Sequence, residues 1–220
     1  EIETPEKGLA ALEIINKKMS PIETEFEKWC ERIIIGAKNR YAGLVTWSDG
    51  EYHQPKSYFK GIELKQSRMP PIMKESMTDV IQGILTGESS NDVTLKLTSL
   101  IDKVVSKEVD PKDICMKGRL KQDLSKYKVL SGSTAGAAWA NEYLGKNYRK
   151  DSYFLSTIDD AGKYIAFDDP SEIEGIKEIG YRILAERFII KKARPYYDLA
   201  GWSTQPLLNS LEGVSGIVWL

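Results

Sequence analysis

Histidine is all but missing from this chain, with His53 the single example, and cysteine is confined to Cys30 and Cys115. One histidine leaves almost no material for a Ser-His-Asp triad or a zinc centre. Two cysteines so far apart have no metal-ligand spacing and read as free thiols of a reducing compartment, which points to the cytoplasm. No apolar run approaches the roughly 20 residues a membrane-spanning helix needs, so no membrane partner is expected. The opening Glu1-Ile2-Glu3 is not the basic and then apolar start of a secretion signal. Internal repeats and low-complexity tracts are also absent. Net charge is scarce as well, at −1, since 31 lysines and arginines face 32 aspartates and glutamates.

That balance speaks against a generic polyanion binder, but the charge is unevenly spread. Residues 1–30 hold seven acids against four bases, whereas residues 31–68 hold seven bases against four acids. A second basic stretch contains Lys112, Lys117, Arg119, Lys121, Lys126 and Lys128 against Asp113 and Asp123. Local positive segments are what a phosphate-contacting surface requires, whatever the total. A lysine-rich helix with a merely solvated face is the plainer reading of the second stretch.

With 220 residues, 41% of them hydrophobic and 29% charged, the chain has enough apolar material for one large or two small globular cores. Thr4-Pro5 predicts a capped helix start, and Leu9, Leu12, Ile15 and Met19 recur at helical spacing up to Ser20-Pro21. The period then shifts towards two. Strands are expected at 33–35, 41–47 and 58–64, the first pair and the last separated by the polar break Trp47-Ser48-Asp49-Gly50.

After Arg68 the pattern becomes helical. Pro70-Pro71 opens a stripe of Ile72, Met73, Met77, Val80, Ile81, Ile84 and Leu85 that Gly87 closes. Asn91 is the expected cap of a helix presenting Val93, Leu97, Leu100, Ile101 and Val104, and a further helix is expected over 114–128. A helix of small residues covers 133–144, and a hairpin spans 152–167 across Asp159-Asp160-Ala161-Gly162, where the acids read as turn residues and not as metal ligands. Asp168-Asp169-Pro170 reads as a loop before a helix that a Ser171 and Glu174 capping box starts and that runs to Lys192. Pro195 ends that helix, and a tail of little order signal follows. The fold class is therefore α+β, a small piece of antiparallel strands and helix over 1–67 followed by a mostly helical part over 68–220 with one hairpin.

Four blocks carry more than pattern. They are Glu25-Phe26-Glu27, Lys38-Asn39-Arg40-Tyr41-Ala42, Lys60-Gly61-Ile62-Glu63 and Gln66-Ser67-Arg68-Met69-Pro70. In this order and spacing they resemble the stretch of family B DNA polymerases that runs from the end of the palm into the thumb. Residues 120–128 (Leu-Lys-Gln-Asp-Leu-Ser-Lys-Tyr-Lys) look like the thumb segment that ends in a Tyr-Lys pair, and 188–195 with Gly201-Trp202 look like the last thumb helix and its turn. The resemblance covers essentially the whole chain. The first and third blocks are specific together and weak apart.

The resemblance implies contacts to primer-template DNA. In the family, the motif's second lysine and its tyrosine test pairing geometry in the minor groove, whose acceptors are similar for all base pairs. Tyr41 matches that tyrosine. Asn39 stands where the lysine would be and can donate a hydrogen bond without bringing charge. Lys38 and Arg40 are the expected phosphate contacts, with Lys60, Lys65, Arg68, Lys121, Lys126 and Lys128 behind them.

The metal-binding aspartates of the family have no counterpart here. Mg2+ and the chemistry of nucleotidyl transfer are therefore expected only in an assembled polymerase, from a larger subunit or a preceding segment. Glu25 and Glu27 are candidates for an ancillary metal role there. Trp219-Leu220 resembles the end of the short peptide with which many members dock on a sliding clamp, although no glutamine stands at the right distance. The reading is of a DNA-gripping component, cytoplasmic or associated with the nucleoid. Its competitor is a helical protein-interaction module with no nucleic-acid role.

Overall fold

The computed structural model describes residues 3–37, 40–62, 69–176 and 178–213. The chain divides into two compact units, one made of Glu1–Ile62 with Leu85–Gly87, the other of Glu63–Ile84 with Glu88–Leu220.

The first unit is a helix and a three-stranded antiparallel sheet in the order β1-β2-β3. Helix α1 is Pro5–Met19, started by Thr4, whose side chain accepts from the Lys7 backbone N–H. Strand β1 is Lys28–Ala37, β2 is Arg40–Ser48 and β3 is Glu51–Lys60. The β2–β3 loop is two residues long, with Asp49 at φ 54° and Gly50 at φ 88°. Positive φ at both positions is what the right-handed twist of a tight hairpin demands. Phe26 packs its ring 5.3 Å from that of buried Trp47, and a Cβ at Gly8 would stand 2.6 Å from Phe26, so α1 crosses close above this aromatic pair. The Tyr52 hydroxyl of β3 donates to Glu6 of α1 at 2.9 Å.

The third strand differs from the expected 58–64. It begins at Glu51 and ends at Lys60, where Gly61 turns the chain at φ 66°. Pro55 does not prevent this early start, because β3 is an edge strand, where a missing N–H can face away from the ladder. A bulge opposite Thr46 absorbs the irregularity, with Trp47 paired to Tyr52 but Val45 to Lys56.

The second unit contains helices α2 (Pro71–Thr86, all but its last turn) and α3 (Ser90–Val105), whose stripes are buried as their spacing predicts, except for the half-buried Ile84. Ser89 caps α3, its hydroxyl accepting from the Asp92 N–H, so Asn91 lies inside the helix and is not the cap. The helix expected over 114–128 does not form. Instead a short 3-10 turn, Pro111–Ile114, leads into strand β4, Met116–Arg119, which pairs with β5 (Tyr153–Ile158), itself paired with β6 (Tyr164–Phe167). Met116, Gly118 and Leu120 are buried while Lys117 and Arg119 are exposed, a period of two. Gly118 decides the packing, since a Cβ there would stand 2.3 Å from the Phe154 ring. Helix α4, Ser133–Tyr143, lays Ala137 and Ala140 on the same layer as Leu120, Tyr148, Phe154 and Ala166.

The long helix expected from 171 to 192 also differs. Asp169 and Glu172 form the capping box of a 3-10 turn, Pro170–Glu172, which continues only into the short α5, Ile173–Ile176. A new helical run starts at Tyr181 as α6 (Tyr181–Leu184), widens into a π-helical turn over Ala185–Ile190, and continues as α7 (Lys191–Ala200) through Pro195. The missing N–H of Pro195 would have faced Lys191, where the helix is already changing pitch, so the ring is accommodated. Gly201, left-handed at φ 70°, ends it, and the Trp202 N–H donates to the Tyr197 carbonyl at 2.8 Å. The tail is not featureless either, because Gln205–Glu212 forms α8. This part is therefore α+β with a three-stranded sheet, and not helical with a lone hairpin.

Candidate nucleic-acid interface

Strand alternation and the register of the first sheet determine which candidate residues meet. Tyr41 lies opposite Lys60 on β3 and opposite Ile35 on β1, and Gly43 lies opposite Tyr58 and Ile33. Residues two apart on a strand share a face, so Tyr41, Lys60, Tyr58, Ile33 and Ile35 stand together. On the opposite face Ile34 and Ala42 are buried. The first face is open at its Tyr41 end, where Ile33 is 53% and Ile35 66% exposed although both are aliphatic, while Val45 and Trp47 farther along β2 are buried.

The open face is ordered by ring contacts. The Tyr41 and Tyr58 rings are 6.1 Å apart at 42°, the Lys60 ammonium sits 5.8 Å from the Tyr41 centroid, and the Lys28 ammonium 4.9 Å from the Tyr58 centroid. Cys30 occupies the space beside Gly43, where a Cβ would stand 2.5 Å from its sulfur. Burial pushes the Cys30 thiol pKa up, against a smaller opposing pull from the Lys28 charge. It is therefore a packing thiol, not a reactive one. Arg40 is exposed at the first position of β2.

Lys28 and Tyr58 were passed over by sequence reasoning. Tyr58 carried a signal, since it alternates with Lys60 at strand spacing towards one side. Lys28 carried none, because an irregularity between Trp29 and Cys30 interrupts its alternation. Arg32, by contrast, is spent inside the first unit, its guanidinium donating to the Leu85 carbonyl at 3.3 Å.

Glu25 and Glu27 lie in the extended segment before β1 and not on a strand, and both are exposed. Glu27 is 3.6 Å from the Lys28 ammonium. Among the described residues no three His, Cys, Asp or Glu side chains gather as metal ligands. Two carboxylates alone supply fewer ligands than a metal centre takes. Lys38, Asn39, Lys65, Arg68, Trp219 and Leu220 lie outside the described residues.

In the second unit, Lys121, Lys126 and Lys128 are exposed in the segment that follows β4, with Lys126 ending a short 3-10 turn, Leu124–Lys126, instead of lying on one long helix. The Tyr127 hydroxyl accepts from the Lys121 N–H at 3.1 Å and pins that segment. Lys126 is 3.8 Å from Asp123, and Arg119 is paired with Asp151 at 2.7 Å. Exposed pairs of this kind are weak and yield readily to a phosphate. The Asp159 carboxylate accepts from the Lys163 N–H at 2.7 Å and Gly162 has φ 78°, the hairpin turn expected there.

The open face thus joins the tyrosine and cation of two sequence blocks that are 19 positions apart. The profile of DNA polymerase family B matches residues 3–178. The chain belongs to DNA polymerase family B. The match covers both the first sheet and the second, and its role lies in the DNA replication that this family performs. No curated protein matches the chain.

Proposed function

We propose that this family B polymerase chain is the part that grips primer-template duplex, with residues 1–67 as the end of the palm and 68–220 as the thumb. The observation that carries the proposal is the open face of the first sheet, where Tyr41 stands opposite Lys60 beside a second tyrosine. Arg40 meets phosphates there and Tyr41 the minor groove, with Lys60 beside them. Lys38, Lys65 and Arg68 are further phosphate contacts and Asn39 a minor-groove contact on the strength of the family resemblance alone. Lys121, Lys126 and Lys128 form a second set of phosphate contacts. Charge-assisted contacts of this kind fix the register of a duplex without reading its sequence.

Transfer of the nucleotide belongs to metal-binding aspartates on a larger subunit or a preceding segment of the same polymerase. Mg2+ held by those aspartates would supply polarisation of the triphosphate and activation of the primer 3′ hydroxyl. Glu25 and Glu27 approach that centre as ancillary carboxylates. Trp219-Leu220 is the candidate docking point for a sliding clamp. The setting is cytoplasmic or at the nucleoid.

Primer extension tests the division of labour. This chain alone is expected to extend no primer, and mixing it with a larger chain that carries the aspartates is expected to produce extension or longer products. A larger chain that is fully active alone and never associates with this one would overturn the subunit reading.

A further inference from the structure

We infer that Lys28 and Tyr58, which lie outside the recognised blocks, are duplex contacts that complete a four-residue strip with Tyr41 and Lys60. The inference rests on the open face being the duplex-binding surface and adds which further residues of that face do the binding.

Three observations lead to it. The strip has a repeating build, a lysine ammonium over a tyrosine ring at each end and the two rings neighbouring one another in the middle. It is assembled from all three strands, Lys28 from β1, Tyr41 from β2 and Tyr58 and Lys60 from β3, so the fold and not a local motif creates it. Finally, the small residue Gly43 lies between the tyrosines in register, and Cys30 fills only the space beside it. No large side chain of β2 rises between the two rings.

Each ring holds an ammonium by attraction to its face. A lysine restrained in this way loses less rotamer freedom when a phosphate arrives than one waving in solvent. The charge is still available, because a tyrosine ring does not neutralise it. Glu27 is the one carboxylate within 4.0 Å of Lys28 among the described residues, at 3.6 Å, and it is exposed. The strip therefore offers a phosphodiester backbone two positioned cations flanking an aromatic surface. A strip meant only to stabilise the sheet would have no need to leave its cations exposed.

The test is equilibrium binding of a fluorescent primer-template duplex by the full chain across a series of salt concentrations. Lys28→Gln is expected to weaken binding about five- to tenfold and to lower the slope of log K against log salt by about 0.9, the value of one lost phosphate contact. Lys60→Gln should do the same. Lys28→Arg should restore the slope, and Glu27→Gln should tighten binding by about twofold by freeing the Lys28 charge.

Tyr58→Leu should weaken binding with a smaller change in slope, and a thermal melt of each variant checks that the sheet is intact. If Tyr58→Leu does not fold, Lys28→Gln still decides. An unchanged affinity and slope for Lys28→Gln, while Tyr41→Ala and Lys60→Gln weaken binding, overturns the inference and leaves the duplex-grip reading standing. If Tyr41→Ala and Lys60→Gln are also without effect, that reading itself falls.

Discussion

The two sheets of this chain are built alike and finished differently. Each has three antiparallel strands in sequential order. In the second sheet, α4 closes one face, and Ile158, Ile165 and Phe167 are fully buried. In the first, Ile33 and Ile35 stand in solvent beside Tyr41, Tyr58 and two lysines. The same alternation that makes a core in one sheet makes a surface in the other. A sheet covered on both faces is a structural element, whereas one that leaves aromatic, aliphatic and cationic groups together on a face is built to meet something.

The largest expected effect sharpens the closed side of this comparison. Phe154→Ala, which removes the ring filling the space over Gly118, should destabilise the chain by about 3 to 5 kcal/mol in urea denaturation. A loss below 1 kcal/mol would mean that the second core is not closed as described.

Next in size is a test of the open side. Arg40→Ala and Tyr41→Ala should each weaken primer-template binding about tenfold, or about 1.4 kcal/mol. Neither should shift the urea midpoint by more than a core substitution would, since Arg40 is exposed and Tyr41 only half-buried.

A smaller effect separates the units by pH. Lys146, at 2.5 Å, and the Tyr148 hydroxyl hold the Asp168 carboxyl below its usual range, in that order of influence. A depressed carboxyl stabilises the fold fully above its unfolded pKa of about 3.9, and that contribution is lost as pH falls through the lower folded value. Because Asp168 is half exposed, its contribution is about 1 kcal/mol or less. The stability gap between wild type and Asp168→Asn should therefore be constant near neutrality and shrink below about pH 4. A gap that widens in acid would contradict the assigned ion pair.

The smallest effect is the most telling about the comparison. Ile35→Ala should change stability by less than about 0.5 kcal/mol, whereas Ile165→Ala should cost about 2 to 5. Equal costs would mean that the first sheet is closed after all.

The sequence announced some of this and concealed the rest for identifiable reasons. Helices α1, α2 and α3 were legible because their stripes and punctuation agree. β4 was not, since four residues of alternation disappear within a lysine-rich stretch that also suits a helix. The run through α6 and α7 was misplaced because Ser171 and Glu174 imitate a capping box, while Asp169 and Glu172 form the real one two residues earlier. On the open face the turn at Asp49-Gly50 fixed the pairing of β2 with β3 only approximately. Continued without interruption it would set Tyr41 opposite Tyr58, and the bulge moves the partner to Lys60. The slip is by two residues, so the face survives although the partner changes. Lys28 joins the strip from a different strand, a long-range relation that no local spacing announces.

The central claim is that this open face meets duplex DNA, and a photo-cross-link tests it most directly. Benzoylphenylalanine placed at Ile35, exposed opposite Tyr41, is irradiated in the presence of a labelled primer-template duplex. The account predicts a cross-link to the double-stranded region that is lost when Arg40→Ala and Tyr41→Ala are added. No cross-link from Ile35 at a duplex concentration that saturates binding would contradict it.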